Sequence, residues 1–351
     1  MIEGHGDDLY AYQGKIGHNF SSNILSGVEH GKLLEAMTAS GGGFENYPEP
    51  RPMRLESKLA GTLGVGSENV CVTNGATEAI YLIAHAFQGE ASAIVVPTFS
   101  EYEDACVMYR HALRFITSPE EMQGDERMVW MCNPNNPTGK VFPKRKLQQL
   151  VAAYPEVTFV IDGAYSDYTE LPVLTPAEAV EAGNVILLGS FTKRYSVPGL
   201  RVGYMVGAET LMESINRYRM PWSVSAPAIL GAEYLLDHSD DYMIDASRLH
   251  NEAERLACRL RSIGVEVEPT DCNFILCHLP ERTAGELKEY LVAEHGILIR
   301  DASNFRGLDE RYFRVAAQKP EENDLLFSAV ERWLNAGSTP KSKFKVSFKA
   351  L

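Results

Sequence analysis

The stretch from residue 70 to residue 206 alternates short apolar runs with segments of helical periodicity, and this alternation constrains the fold more than any other feature. Six short runs are apolar at nearly every position, as is typical of strands buried on both faces. They are residues 70–73, 93–96, 128–132, 157–161, 185–188 and 202–206. Between them lie helical patterns at 76–87, 101–109 and 144–153. The sequence therefore predicts an α/β fold with a mainly parallel sheet flanked by helices.

A second, smaller α/β unit follows. The chain is predicted to be mostly helical from about residue 221 to residue 260, and three strand candidates then lie at 273–277, 297–300 and 312–315. We expect three parts: an N-terminal arm (1–44) packing on the small domain and the substrate site, a large domain (45–235) and a small C-terminal domain (236–351). Residues 341–349 alternate apolar and polar side chains, which fits an edge strand or a frayed tail.

Composition argues against several kinds of partner. The 351 residues carry a net charge of −14, so nucleic acid, which requires a basic face, is not expected as a partner. No apolar run reaches the roughly 18 residues of a membrane span, and the N-terminus lacks the pattern of a secretion signal. A cytoplasmic protein without a membrane partner is therefore expected. The six cysteines show no metal-ligand spacing, and no metal site is predicted.

A single lysine follows the apolar run at 185–188. Lys193 lies just beyond the carboxyl end of this predicted strand, where open α/β sheets bind ligands. A desolvated lysine near other cations can lose its proton and form a Schiff base with a carbonyl compound. Ser190, Thr192 and Arg201 could together hold a phosphate beside it. The alternative is an ordinary solvated lysine on a surface loop.

The other strand ends carry groups that complement a planar, phosphorylated cofactor. Thr77 lies at a helix N-terminus whose free N–H groups favour an anion, although simple capping is the alternative. Asn136, in a proline-rich loop, could donate to a phenolate oxygen. Asp162 could pair with a protonated pyridine nitrogen or cap a helix, and Tyr165 could reach the ring oxygen. Phe99 could stack on the ring, although core packing is the commoner fate of a phenylalanine.

Five successive strand ends thus supply phosphate donors, a stacking ring, an amide, a carboxylate and a lysine, which are the requirements of pyridoxal 5′-phosphate. At these motifs the chain resembles the fold-type I pyridoxal-phosphate-dependent transferases, within the group that contains histidinol-phosphate aminotransferases. The resemblance covers nearly the whole chain, and the residues that carry it are 46–48, 75–78, 133–139, 162–165 and 190–201. It implies a large domain with a mainly parallel seven-stranded sheet and a smaller α/β C-terminal domain.

The resemblance also implies a role for individual residues. Lys193 would form the covalent bond to the cofactor, Asp162 would pair with the pyridine nitrogen, and Phe99 would stack on the ring. Asn136 and Tyr165 would contact the ring oxygen. The cofactor phosphate would be held by Ala76, Thr77, Ser190, Thr192 and Arg201.

Two further positions bear on the resemblance. Tyr47 would reach the cofactor from a second subunit, which implies a homodimer. Gly163 stands where the family usually has glutamate. We expect this departure to alter the local structure without removing Asp162 as the partner of the pyridine nitrogen.

One branch of the family is more similar still. Threonine-phosphate decarboxylases of cobalamin biosynthesis have a His-Gly stretch near the N-terminus, and residues 5–6 match it. Further similar segments are residues 19–23, 220–224, 297–300 and 304–315. The likeness implies that Arg314 binds the substrate carboxylate, that His5 and Arg300 help bind the substrate phosphate, and that Asn136 also lies in the substrate site. From the residues alone, the two arginines could equally form structural ion pairs.

Three functions follow from these resemblances. The first is decarboxylation of a small phosphorylated amino acid, L-threonine O-3-phosphate, to (R)-1-amino-2-propanol O-2-phosphate, with Lys193 a candidate for the proton donor at Cα. The second is amino transfer on histidinol phosphate or a related amino acid, with Lys193 as proton shuttle. The third is a cofactor-binding regulator or an inactive relative, which the lack of a basic N-terminal DNA-binding domain and the presence of Lys193 disfavour.

Overall fold

The computed structural model describes residues 7–12, 14–39, 43 and 45–336, so the tail at 341–349 lies outside the described residues. Its strands are β1 (His18–Asn19), β2 (Val70–Thr73), β3 (Ala91–Val95), β4 (Ala112–Ile116), β5 (Met128–Cys132), β6 (Thr158–Asp162), β7 (Val185–Ser190), β8 (Gly203–Gly207), β9 (Glu266–Val267), β10 (Phe274–His278), β11 (Ile297–Leu298), β12 (Arg300–Asp301) and β13 (Tyr312–Ala316).

The helices alternate with these strands through most of the chain. They are α1 (Gly31–Ala39), α2 (Met53–Leu63), α3 (Gly75–Ala86), α4 (Glu101–Met108), α5 (Lys144–Ala153), α6 (Pro176–Ala182), α7 (Phe191–Arg194), α8 (Glu209–Asn216), α9 (Ala226–Asp237), α10 (Ala246–Ser262), α11 (Ala284–His295) and α12 (Pro320–Ala336). Among the described residues, none of these helices combines the length and apolar character needed to span a membrane.

The larger sheet has seven strands in the order β2-β8-β7-β6-β5-β3-β4. Strand β8 runs antiparallel to both of its neighbours, and the other pairs are parallel. Strands β2, β5 and β6 are buried at every position, because helices cover both faces of the sheet. The prediction of a mainly parallel seven-stranded sheet is confirmed.

Strand β4 and helix α6 are among the elements of this region that were absent from the sequence prediction. Strand β4 pairs with β3 at the sheet edge and is only partly buried, so it lacks a continuous apolar run. Helix α6 is short, but its start carries a clear signal. Thr175 accepts from the backbone N–H of Glu178, whose side chain accepts from Thr175, and Pro176 occupies the first turn. Gly183, with φ of 79°, ends the helix.

The smaller sheet contains four antiparallel strands in the order β12-β13-β10-β9. Its apolar side packs against α10, α11 and α12, with Phe313, Leu326 and Trp333 buried in the shared core. The single strand predicted at 297–300 is wrong: β11 and β12 are separate and pair with different partners. The division arises because β1 of the N-terminal arm pairs with β11, whereas β12 turns away to pair with β13.

The N-terminal arm crosses between the two sheets. Beyond β1, Phe20 donates its N–H to Leu298 and accepts from the N–H of Ala316, and its ring is fully buried. Burial of a phenylalanine side chain stabilises a fold by about 2–3 kcal/mol. This anchor fixes residues 21–23 beside the edge of the large sheet where β2, β3, β5, β6 and β7 all end.

Candidate active site

A cavity of about 390 Å³ opens at this edge, within the usual size range of small-molecule sites. The large sheet forms one wall, and the small sheet and the arm form the other. The structure brings twelve of the predicted site residues to it: Ala76, Thr77, Phe99, Asn136, Asp162, Tyr165, Ser190, Thr192, Lys193, Arg201, Arg300 and Arg314.

Lys193 lies inside this cavity, in the single turn of α7 that follows β7. Its Nζ donates to the backbone oxygen of Ser22 at 2.6 Å and lies 5.8 Å from the centre of the Tyr165 ring. Burial, and next the positive charge of Arg314, lower the pKa of Lys193 to about 8, while the carboxylates of Asp7 and Asp162 oppose the shift. Near neutral pH the amine is therefore unprotonated far more often than that of an ordinary lysine, and in that form it can attack a carbonyl carbon.

Asp162 ends β6 and is 6% exposed. Its Oδ2 accepts from the hydroxyl of Tyr102 at 2.7 Å, and its Oδ1 accepts from the N–H of Ala164 at 2.9 Å. Burial raises the pKa of Asp162, and the bond from Tyr102 counters that rise. No described lysine or arginine forms an ion pair with this carboxylate, so a protonated ring nitrogen would supply a partner that the site otherwise lacks.

One corner of the cavity, where the sequence predicts phosphate binding, lies at the start of α3. Asn74 precedes the helix without a side-chain cap, so its first N–H groups remain available to an anion. Gly75 has φ of 75°, and a Cβ there would collide with the guanidinium of Arg201. A Cβ at Gly203, the first residue of β8, would collide with the backbone of Ala76. The two glycines therefore make this corner compact enough to surround a phosphate.

Gly163 is also closely packed. A Cβ at this position would lie 2.9 Å from Ser166 Oγ and 3.2 Å from the backbone oxygen of Leu188. The Ser166 hydroxyl donates to the backbone oxygen of Gly163 at 2.8 Å. Glycine thus leaves room for a local turn stabilised by Ser166, and Asp162 and Tyr165 on either side both line the cavity.

Two buried arginines face the cavity from the small sheet. Arg300 and Arg314 are cross-strand partners in β12 and β13 and are 7% and 4% exposed. Burial, together with the charge of Arg314, lowers the pKa of Arg300 to about 10. Arg314 donates to Asn136 Oδ1 and to the backbone oxygen of Ser21, while its Nε has no partner among the described residues. Like charges buried side by side are costly unless an anion binds between them.

The same contacts orient the amide of Asn136. Because a guanidinium only donates hydrogen bonds, the bond from Arg314 assigns Oδ1 to the arginine and leaves Nδ2 as a donor for a ligand oxygen. The cavity therefore combines a lysine amine, a carboxylate beside a phenol, an amide donor, an aromatic ring at Phe99 and a helix N-terminus. This set of groups fits pyridoxal 5′-phosphate.

Of the two remaining predicted site residues, the structure describes only Tyr47. His5 lies outside the described residues. Tyr47 is 86% exposed and packs on Trp222, with ring centres 5.6 Å apart, away from the cavity of its own chain. Several cavity residues had no predicted role, and the arm, α4 and the loop after β12 bring them there: Asp7, Ser21, Ser22, Glu101, Tyr102 and Phe305. Ser21, Ser22 and Phe305 lie in segments that resemble the decarboxylase branch, but local patterning gave none of the six a role, because each reaches the cavity through long-range packing.

Comparison with known proteins identifies the family. Residues 15–330 match the family of class I and II aminotransferases. A threonine-phosphate decarboxylase of Salmonella typhimurium is 31% identical over 83% of this chain and 84% of its own length. Histidinol-phosphate aminotransferase 2 of Archaeoglobus fulgidus is 31% identical over 89% of this chain and 92% of its own. The crystal structure of L-threonine-O-3-phosphate decarboxylase from Porphyromonas gingivalis has a TM-score of 0.87 and 36% identity, covering 91% of this chain and 99% of that one. This chain is therefore a pyridoxal-phosphate-dependent enzyme of the class I and II aminotransferase family.

Proposed function

We propose that this enzyme decarboxylates L-threonine O-3-phosphate to (R)-1-amino-2-propanol O-2-phosphate. The observation that carries the proposal is the buried pair Arg300 and Arg314, which faces the same cavity as Lys193. A substrate with a carboxylate and a phosphate supplies one anion for each guanidinium. Similarity to the threonine-phosphate decarboxylases of Salmonella typhimurium and Porphyromonas gingivalis supports the same substrate.

The arginines would orient this substrate. Arg314 is held by Asn136 and Ser21, so its planar fork is fixed before the carboxylate arrives. Arg300, held by Asn304 at 2.7 Å, would bind the phosphate. His5 is proposed to assist Arg300, as the family resemblance implies. Two fixed anion contacts leave the substrate one orientation over the ring, which determines the Cα bond that breaks.

The remaining groups would hold the cofactor and move the proton. Asp162 would pair with the pyridine nitrogen, Phe99 would stack on the ring, and Asn136 and Tyr165 would bind its oxygen. The cofactor phosphate would be bound by Ala76, Thr77, Ser190, Thr192 and Arg201. When bound, the cofactor supplies an electron sink for the charge that develops at Cα. Lys193, whose lowered pKa allows both protonation states near neutral pH, would deliver the proton that replaces the departing CO2.

Amino transfer on histidinol phosphate or a related amino acid is the second candidate. The relative from Archaeoglobus fulgidus, which is as similar to this chain as the Salmonella decarboxylase, favours it. The two reactions differ in which bond at Cα stands perpendicular to the ring, and Lys193 serves both. The positions of the substrate's anionic groups would therefore determine which Cα bond breaks and hence which reaction takes place.

Product analysis distinguishes the candidates. Purified enzyme loaded with pyridoxal phosphate is incubated with L-threonine O-3-phosphate, and CO2 and the amino alcohol phosphate are measured. A parallel sample receives histidinol phosphate and 2-oxoglutarate, and glutamate is measured. We expect CO2 in the first sample and no glutamate in the second. Glutamate without CO2 would contradict the decarboxylase.

We also propose that the enzyme works as a homodimer in which Tyr47 completes the partner's site. Tyr47 lies on an exposed apolar face with Met53, Met220 and Trp222, which are 61%, 72% and 49% exposed. A second copy of the chain would cover this face and receive Tyr47 in its own cofactor site.

Mixed dimers test the exchange of Tyr47. Tyr47→Ala and Lys193→Ala chains are each expected to be weakly active or inactive alone. If Tyr47 acts across the interface, mixed dimers contain one intact site, and random exchange restores roughly a quarter of the wild-type sites. If Tyr47 acts within its own chain, every site has one defect and mixing restores nothing. Sedimentation analysis checks the dimer itself.

A further inference from the structure

Tyr102 is a buried residue of the cavity that the proposed function does not use. It lies in the first turn of α4 and is 1% exposed. Its ring stacks on Trp130 of β5 with centres 5.9 Å apart, and Phe99 meets it edge-on at 5.9 Å. These two aromatic contacts fix the position of the ring and direct the hydroxyl to Asp162 Oδ2 at 2.7 Å.

The carboxylate of Asp162 needs this donor. Burial disfavours its charged form, which is the form that pairs with a protonated pyridine nitrogen. Burial and the nearby charge of Asp162 hold the pKa of Tyr102 well above its ordinary value, so the phenol keeps its proton and always donates. The other donor to Asp162 is the backbone N–H of Ala164, which does not depend on the side chain at position 164.

We propose that Tyr102 is the positioning residue that keeps the Asp162 carboxylate ionised and aimed at the pyridine nitrogen of the cofactor. Among the residues that the structure describes, four titratable side chains face Asp162: Tyr102 from α4, Cys132 from β5, Tyr165 beyond β6 and Lys193 from α7. The charge of Lys193 also favours the ionised form of Asp162, but the Lys193 amine donates its hydrogen bond to Ser22 and is proposed to bind the cofactor. Of the four, Tyr102 is the side chain whose hydroxyl donates a hydrogen bond to this carboxylate, at 2.7 Å.

The decisive variant is Tyr102→Phe, which removes the hydroxyl and keeps the ring that stacks on Trp130. Infrared spectroscopy follows the band of the protonated Asp162 carboxyl as a function of pH, in protein freed of cofactor. The spectrum of the same protein carrying Asp162→Asn is subtracted, so that only the Asp162 band remains. We expect the midpoint to rise by about one pH unit, because a bond that stabilises the charged form is lost. Pyridoxal phosphate should bind roughly tenfold more weakly, and the loss of affinity at low pH should begin about one unit higher.

Ser92→Ala is the matched control. Its hydroxyl is also buried in the large sheet, at 1% exposure, and is 2.8 Å from His111 Nδ1. It should change neither the Asp162 midpoint nor the affinity for the cofactor. An unchanged Asp162 midpoint in Tyr102→Phe would overturn the proposal. An equal shift of the midpoint in Tyr102→Phe and Ser92→Ala would also overturn it, because it would show a general change in the packing of the protein.

A second measurement covers the case in which Tyr102→Phe does not fold. Replacement of Tyr102 by 3-fluorotyrosine keeps the shape of the residue and makes the phenol more acidic, so it becomes a stronger donor. The Asp162 midpoint should then fall, and a midpoint that stays or rises would overturn the role. Both titrations are independent of substrate, so their outcome is separate from the choice between decarboxylation and amino transfer.

Discussion

The two ends of the cavity are assembled in different ways. The proposed cofactor end, defined by Lys193, Asp162 and the start of α3, comes from successive strand ends of one mainly parallel sheet. The proposed substrate end, defined by Arg300, Arg314 and Asp7 of the arm, combines neighbouring strands of the small sheet with the arm. The first is held by the backbone of a single sheet, and the second by contacts between separate elements. Damage to one end should therefore leave much of the other intact.

The largest effect is expected from Lys193→Ala. The variant loses the covalent anchor and the proton-transfer group together, so turnover should fall by about 10⁴-fold or more. The visible absorption band of the loaded enzyme, measured by spectrophotometry, should disappear. Lys146→Ala, which removes an exposed lysine paired with Glu120 at 2.9 Å, is the control and should keep both. A band that persists without Lys193 would contradict the anchor.

Arg314→Lys tests the substrate end. Lysine keeps the charge but cannot reproduce the planar fork that holds Asn136 and Ser21. We expect kcat/KM for the phosphorylated substrate to fall on the order of 10²-fold. Cofactor affinity, measured by fluorescence quenching, should fall much less, because Asn136 is only one of several groups proposed to hold the cofactor. Arg311→Lys, at an exposed arginine of the same hairpin, should retain wild-type kinetics. Equal losses of cofactor and substrate binding would argue against separate ends.

Gly203→Ala tests the cofactor end without touching a charged group. The new Cβ would collide with the backbone at the start of α3, and such overpacking costs about 1–3 kcal/mol. Cofactor affinity should fall roughly tenfold, and the Tm should drop by several degrees in calorimetry. Gly199→Ala, whose Cβ would meet open space, should affect neither. If both variants bind the cofactor normally, the close approach at Gly203 has no functional role.

Lys288→Ala should loosen the arm. Lys288 of α11 and Asp8 form an ion pair of 2.5 Å and are only 13% and 19% exposed. Loss of this ion pair should weaken the attachment of the arm that lines the substrate side of the cavity. Because a pair of this kind contributes about 1 kcal/mol, we expect KM for the phosphorylated substrate to rise about fivefold with kcat unchanged. The exchange of charges in Asp8→Lys with Lys288→Asp should recover part of the loss. Lys32→Ala, at an 80% exposed lysine, is the control. A fall in kcat alone would exclude a role in substrate binding.

The smallest effect links the two ends electrostatically. In protein without cofactor, the reactivity of Lys193 toward an acylating reagent should rise with pH through about 8, since the amine is protonated below that pH. Arg314→Met removes a cation that lowers this pKa, so the midpoint should move upward by up to about one unit. Competitive labelling with mass spectrometry measures both midpoints. A wild-type midpoint near the ordinary lysine value of about 10.4 would contradict the buried environment.

The sequence predicted much of the cofactor end because local patterns encode it. Apolar runs located β2, β5, β6 and β7 within one or two residues, and the residues that follow these strands lie around one cavity. Strand β4 was missed because edge strands need no continuous apolar run. Helix α6 was missed although the Thr175–Glu178 capping box signalled it.

The substrate end depended on resemblance for its prediction. The separation of β11 from β12 and the pairing of Arg300 with Arg314 arise from long-range contacts that local periodicity does not encode. Tyr102 had no predicted role for the same reason: its meaning depends on Asp162, 60 residues further along the chain.

The sequence by itself determined the parallel sheet and the order in which a lysine, a carboxylate and an amide follow its strands. These features rest on local hydrogen bonding and apolar periodicity, which neighbouring residues specify. The tertiary structure alone decided that Ser22 meets Lys193 across 171 positions and that Asn136 meets Arg314 across 178. Such contacts form only when two sheets and an arm pack together, because burial of their apolar faces, rather than any local preference, brings the charged groups into one cavity.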